Sequence, residues 1–325
     1  MRGLFCTFLF LFGTVVATSP SRADECKPLQ LLTSIQMDMF ADNALPSIPV
    51  SINGVSENMM VSSADPIPTI DSAAASSLGL VSSPSRVTLV ANAERYDREY
   101  RVETFDFGSQ RIKGIALQEN PGAMSSGGPI GLFPLMMLHN YDVDLDFGAK
   151  RLNLFSQDHC ASRVTYWPER PLAVVPFKTV SGNIYISVLL DGHPLNAVID
   201  TGSAETIMSS VPATFTMHLS LGATDTPQIA FVPRNQRAGL VVSSSDTKIY
   251  SHTFDNLSFD GVTIANLKVK IYSDSVVHER LPQVTIGMNV LRHLHIYIAY
   301  RENKLYITPA GSGESALVKK KAPSP

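Results

Sequence analysis

Apolar and polar positions alternate along most of this chain, in short runs cut by Gly, Asn and Asp. A period of two between turn residues marks half-buried β-strands. Ile184-Tyr-Ile-Ser-Val-Leu-Leu190 reads as one strand and Asp191-Gly192 as a two-residue hairpin turn. Ala197-Val-Ile199 ends the returning strand. The first half carries the same pattern. Ile48-Pro-Val-Ser-Ile-Asn-Gly54 lies over Ile186-Ser-Val-Leu-Leu-Asp-Gly192 at a shift of 138, and Asn58-Met-Met-Val61 then lies over Asn196-Ala-Val-Ile199. Phe107 to Gly114 matches Phe259 to Asn266, and Gly128-Pro-Ile-Gly131 matches Val284-Thr-Ile-Gly287. Tyr141 to Phe147 with Arg151 to Phe155 matches the closing pair His295 to Tyr300 and Lys304 to Ile307. Internal repetition of this kind predicts two related lobes. The expected fold is all-β, with a first lobe over 24–160, a linker over 161–172, a second lobe over 173–311 and a disordered tail over 312–325. The boundary falls in the polar stretch Ser156 to Arg170.

The ends carry different signals. Arg2 precedes an apolar run, Leu4 to Ala17, and Ser21-Arg22-Ala23 supplies small residues before a cut. This predicts a secretory signal peptide over 1–23, too short in its apolar part for a membrane span. The mature protein is expected to be exported, periplasmic or secreted, with no membrane association after cleavage. Losing Arg2 and Arg22 leaves 24 basic against 29 acidic residues, a net charge of −5 that argues against a nucleic-acid partner. Lys319-Lys-Lys321 in the tail reads as solubilising. Of three cysteines, Cys6 leaves with the signal. A disulfide between Cys26 and Cys160 is the simplest reading for an exported chain, with two free thiols or a metal site as alternatives. No Cys-x-x-Cys or His-Glu-x-x-His spacing supports a metal, and His293 and His295 read as packing or surface residues. Neither metal nor cofactor is expected. Gly-x-Ser-x-Gly, phosphate-loop and dinucleotide signatures are absent, and the small-residue run Gly122 to Gly128 reads as a loop.

The candidate chemistry lies at Asp200-Thr201-Gly202-Ser203, where an apolar strand ends on a carboxylate. An acid at the end of a buried strand is held rigidly and partly desolvated, which suits acid–base work. Gly202 allows a sharp turn, and Thr201 and Ser203 offer hydroxyls around the carboxylate. Taken alone, the tetrapeptide is also an ordinary turn. With the hairpin before it, the Val284-to-Leu291 segment after it and the closing strand pair, the order of elements over 175–310 resembles the retropepsin-like aspartic peptidases. That resemblance implies an acid-protease β fold and an Asp-activated water that hydrolyses a peptide bond. It also implies an extended peptide or protein substrate in a cleft under a flap. Gly222 to Tyr250 is the candidate flap.

The first lobe departs from the family pattern. Ser62 stands opposite Asp200, and Asp65 stands opposite Ser203 with one extra residue just beyond it. The family uses two carboxyls that share a proton, and a serine hydroxyl is not by itself a useful acid. Asp65 reads as turn chemistry before Pro66. Two functions follow. One is an aspartic endopeptidase whose second carboxyl comes from Asp200 of another copy in a homodimer. The other is a catalytically inactive peptide-binding or scaffold protein derived from such an enzyme.

Overall fold

The computed structural model describes residues 26–40, 45–91, 94–120, 127–167, 173–232, 237–238, 241–242, 246–273, 282–311 and 318–320. The proposed signal peptide, the centre of the Gly222–Tyr250 region and most of Gly122–Gly128 lie outside these residues. The architecture is all-β and two-lobed. Helical elements among the described residues are single short turns such as Ser72–Ser77 and Met288–Leu291.

Each lobe is one strongly bent sheet, and the two follow one plan. In the first lobe the hairpin Leu45–Ile52 and Val55–Ser62 turns at Asn53-Gly54, and both residues hold positive φ. In the second, Asn183–Leu190 and His193–Ile199 turn at Asp191-Gly192 with the same handedness. Asn-Gly and Asp-Gly are the pairs that tolerate this geometry, so the turn chemistry sets the register of both hairpins. The inner strand of each hairpin then gains a parallel neighbour. Val55–Ser62 pairs with Gly131–Pro134, and His193–Ile199 pairs with Val284–Ile286. Short strands at Thr69–Ile70 and Ile207–Ser209 return beside those neighbours.

The paired registers correct two details of the repeat. Val61 faces Phe133 while Ile199 faces Ile286, and Ile70 faces Gly131 while Met208 faces Val284. The counterpart of Gly287 is therefore Pro134, and Gly131 corresponds to Val284. The shift of 138 holds from Ser62 through Ile70, so no extra residue separates the two loops.

A third sheet joins the lobes. Its order is Leu31–Gln36, Arg151–Phe155, Asp142–Asp146, Leu294–Ala299, Lys304–Pro309, Ala173–Pro176. The central pairing crosses between lobes, with Val143 opposite Ile298 and Leu145 opposite Ile296. One face of this sheet, carrying Val143, Leu145, Ile296 and Ile298, closes the main apolar core. The other face carries Phe155, Tyr297, Ala299 and Tyr306, and is covered by Val164 and Trp167. The described part of the stretch expected to be a linker, Ala161 to Trp167, thus packs down as a lid on the inter-lobe sheet. Cys26 and Cys160 are disulfide-bonded at its edge. Val318–Lys320, within the tail expected to be disordered, pairs with Val262–Ile264 along the second-lobe sheet, whose strand there offers free backbone groups. No helix among the described residues is long and apolar enough to cross a membrane.

Candidate active site

Asp200 follows the strand His193–Ile199, and its amide donates to the carbonyl of Ile286. Its counterpart Ser62 ends the strand Val55–Ser62. The two meet at the seam between lobes, where the Ser62 hydroxyl lies 3.5 Å from Asp200 Oδ1. The flanking residues exchange reciprocal hydrogen bonds. Thr201 Oγ1 donates to the carbonyl of Val61 at 2.8 Å, and Ser63 Oγ donates to the carbonyl of Ile199 at 2.7 Å. Ser63 Oγ also accepts from the amide of Thr201 at 3.0 Å. Ser63 therefore does for one lobe what Thr201 does for the other. Ser62, Ser63 and Thr201 are buried, so these bonds work without competition from water.

Gly202 is required by closeness. A Cβ there would stand 2.9 Å from Ser62 Oγ and 3.1 Å from Asp200 Oδ1. Its amide donates to Asp200 Oδ1 at 2.8 Å. Ser203 turns away, its hydroxyl donating to the carbonyl of Glu205. It helps shape the turn and does not reach the carboxylate. Gly287 is similarly constrained, since a Cβ would run into the backbone of Glu205 and Ser203. The amides of Met288 and Asn289 meet the carbonyls of Ser203 and Ala204, which ties the short helix to the Asp200 loop.

In the first lobe the same loop folds back on its serine. The amides of Ala64 and Asp65 both donate to Ser62 Oγ, at 3.4 and 3.3 Å. This turn brings the Asp65 backbone amide onto the Ser62 hydroxyl oxygen. The turn role expected of Asp65 is seen in its amide, and its charge lies near enough to act on Asp200. A side-chain-to-backbone turn at Ser62 redirects the chain in a way that strand register does not anticipate.

The electrostatics follow from this placement. Asp200 is pushed up to about 7, first by burial and then by the charge of Asp65, against the stabilising hydrogen bonds from the Gly202 amide and the Ser62 hydroxyl. Burial likewise raises Asp65, with Ser62 acting in the opposite direction. Asp200 can therefore hold and release a proton near neutral pH. Asp200 nevertheless keeps some solvent contact, so water can reach it.

The homodimer expectation finds no support in this geometry. The side of Asp200 that a second copy would have to reach is filled by Val61, Ser62 and Ser63 of the same chain. Separating those lobes would also break the central pairing of the six-stranded sheet. The candidate flap is one of two equivalent hairpins. Gln228–Val232 pairs with Thr247–Phe259 in the second lobe, and Ser82–Ala91 pairs with Glu94–Phe107 in the first.

Sequence reasoning also missed a second polar cluster, on the lidded face of the inter-lobe sheet. Asp142 accepts from His159 Nε2 at 2.6 Å and from the Tyr297 hydroxyl at 3.2 Å. Asp144 accepts from His295 Nε2 at 2.6 Å, the Tyr166 hydroxyl at 2.7 Å and Asn153 Nδ2 at 2.8 Å. His295 is thus a buried partner across the lobes. Beside this cluster lies a cavity of about 650 Å³ lined by Lys27, His159, Arg301 and Glu302 among others. Its charges are already committed: Lys27 to Asp158, Lys304 to Glu302, and Arg301 to the carbonyl of Gln157. It shares no lining residue with the Asp200 seam. Among the described residues no group of three or more His, Cys, Asp or Glu is arranged to hold a metal. The chain matches no protein-family model and no curated protein.

Proposed function

We propose that the protein is an exported aspartic-type endopeptidase that acts as a single chain, with Asp200 activating the water that attacks a peptide carbonyl. The observation that carries this reading is the seam itself. A desolvated carboxyl is fixed between two pseudo-symmetric lobes by reciprocal hydroxyl–carbonyl bonds, yet remains open to water. The resemblance to the retropepsin-like plan gives the reaction class, and the raised Asp200 gives a base that changes state near neutral pH. Strand rails in both lobes suit an extended peptide bound by backbone hydrogen bonds. The disulfide and the apolar N-terminal run support export.

A second reading, a peptide-binding protein without catalysis, is favoured by Ser62, which occupies the place of the family's other aspartate. One experiment separates the two. The purified protein is sized in solution and incubated with a peptide library from pH 3 to 8, with Asp200→Asn as control. Cleavage by a monomer that disappears in Asp200→Asn supports the peptidase. Peptide binding without cleavage in both proteins supports the second reading.

A further inference from the structure

Beyond Phe155 the chain folds back onto the inter-lobe sheet, and His159 is its buried anchor there. We infer that His159 and Asp142 form a proton-held latch at this corner, closed while the pair keeps its shared proton and released when that proton is lost above neutral pH. The latch stands whether or not the protein is a peptidase.

The ring has acceptors on both sides. His159 Nδ1 lies 3.1 Å from the carbonyl of Cys160, and Nε2 lies 2.6 Å from Asp142 Oδ2. A carbonyl can only accept, so Nδ1 must carry a proton. Asp142 also accepts from the Tyr297 hydroxyl on Oδ2 and from the Tyr300 amide on Oδ1, so it is matched as a carboxylate. Both ring nitrogens are then donors, and the ring is an imidazolium. The other matched state shifts one proton along the Nε2–Oδ2 contact and leaves the pair's proton count unchanged. Once that proton is lost, either Nε2 turns a lone pair on the Asp142 carboxylate or Nδ1 turns one on the Cys160 carbonyl. Both side chains are buried, so the mismatch is costly.

The surroundings keep the proton in place at neutral pH. Burial opposes charge on His159, but the bonds to Asp142 and the Cys160 carbonyl outweigh it, and Glu302 acts in the same direction as those bonds. Burial raises Tyr297, Tyr300 and Tyr306, which stay neutral. Lys27, Arg301 and Lys304 line the adjoining cavity, but Asp158, the Gln157 carbonyl and Glu302 already hold them. His159 lines the same cavity, which gives the proton a way out.

The latch joins three parts of the chain. Asp142 lies on a first-lobe strand, while Tyr297 and Tyr300 belong to the second lobe. His159 brings in the returning stretch, where the Lys27 amide donates to Asp158, the Cys160 amide to Lys27 and the Arg163 amide to Cys160. For an exported chain, external pH then sets how firmly this corner closes.

Hydrogen–deuterium exchange of the full chain from pH 5 to 9.5, corrected for intrinsic exchange, reads the amides of Lys27, Cys160 and Arg163. The folded pair keeps its proton to a higher pH than a free histidine, so closure is complete below about pH 6 and weakens above about pH 6.5. Protection at the corner should fall by up to about tenfold per pH unit and then level off, while the strand Gln110–Glu119 keeps its protection. In Asp142→Asn the amide can donate to Nε2, which matches a neutral ring, so the step disappears. In His159→Gln nothing titrates at this position, and the step disappears again; one folded variant of the two suffices. His295→Gln, which removes the neighbouring ring on Asp144, keeps the step. Level wild-type protection across the whole pH range overturns the latch whether or not any variant folds. A step that survives in Asp142→Asn or His159→Gln, or that is lost in His295→Gln, overturns it too.

Discussion

Replacing Asp200 by Asn separates the energetic cost of this site from its chemistry. Asp200 is raised from the ordinary carboxylate value to about 7, chiefly by burial and next by the charge of Asp65. Between about pH 4 and 7 the folded state therefore holds a proton that the unfolded chain has released, and stability falls as pH rises across that window. At about 1.4 kcal/mol for each pKa unit, the full effect is about 4 kcal/mol at most, complete above pH 7 and absent below pH 4. Asn keeps the acceptor that meets the Gly202 amide and the Ser62 hydroxyl. Asp200→Asn should therefore match the wild type within about 1 kcal/mol at pH 4 and exceed it by roughly 3–4 kcal/mol at pH 8. Urea unfolding at five pH values, followed by circular dichroism, measures the difference. Asp142 and His159 add slopes of their own. Burial raises Asp142. For His159 burial opposes charge, but the Asp142 bond and the Cys160 carbonyl outweigh it and the group is raised. Both contributions are lost as pH rises, both are present in each protein, and both cancel in the comparison. A wild type and an Asn variant with parallel stability curves would show that Asp200 is not desolvated in the folded protein, and the site as described would be wrong.

Three further outcomes follow from other contacts. Asp144→Ala strips His295, Tyr166 and Asn153 of one buried acceptor and should cost about 3–5 kcal/mol. Trp167 is the single tryptophan and its ring lies tilted against the His295 ring at 4.2 Å, so its fluorescence should report the loosened inter-lobe sheet before global unfolding; an unchanged emission and midpoint would contradict the contact. Ser63→Ala removes the partners of the Ile199 carbonyl and the Thr201 amide, for about 2–3 kcal/mol. It should lower kcat more than it raises KM in peptide-cleavage kinetics, because it loosens Asp200 without touching the substrate rails. Reduction of Cys26–Cys160 frees a loop with a sequence separation of 134. The chain-entropy model puts that at about 4–5 kcal/mol, read as a lower thermal midpoint in the presence of reductant.

Legibility in the sequence tracked how local each cause is. Asp191-Gly192 and Asn53-Gly54 name their own turn geometry, so both hairpins and the Ser62–Asp200 correspondence could be read directly. The reciprocal bonds, each linking residues near a 138-residue spacing, bear out that alignment. Aligning Gly131 with Gly287 failed because glycine identity was used where strand register decides. Gly131 approaches the Thr69 backbone, whereas Gly287 approaches Glu205, so the two glycines are small for different reasons. The Asp144–His295 bond was beyond reach, since it depends on two terminal hairpins meeting edge to edge across lobes, and the Asp142–His159 bond depends on the stretch after Phe155 folding back onto the sheet. The serine at position 62 is accommodated for a structural reason. The seam is held by Ser63 and Thr201, and neither bond needs a carboxyl at position 62. The seam therefore keeps its shape with a hydroxyl at position 62.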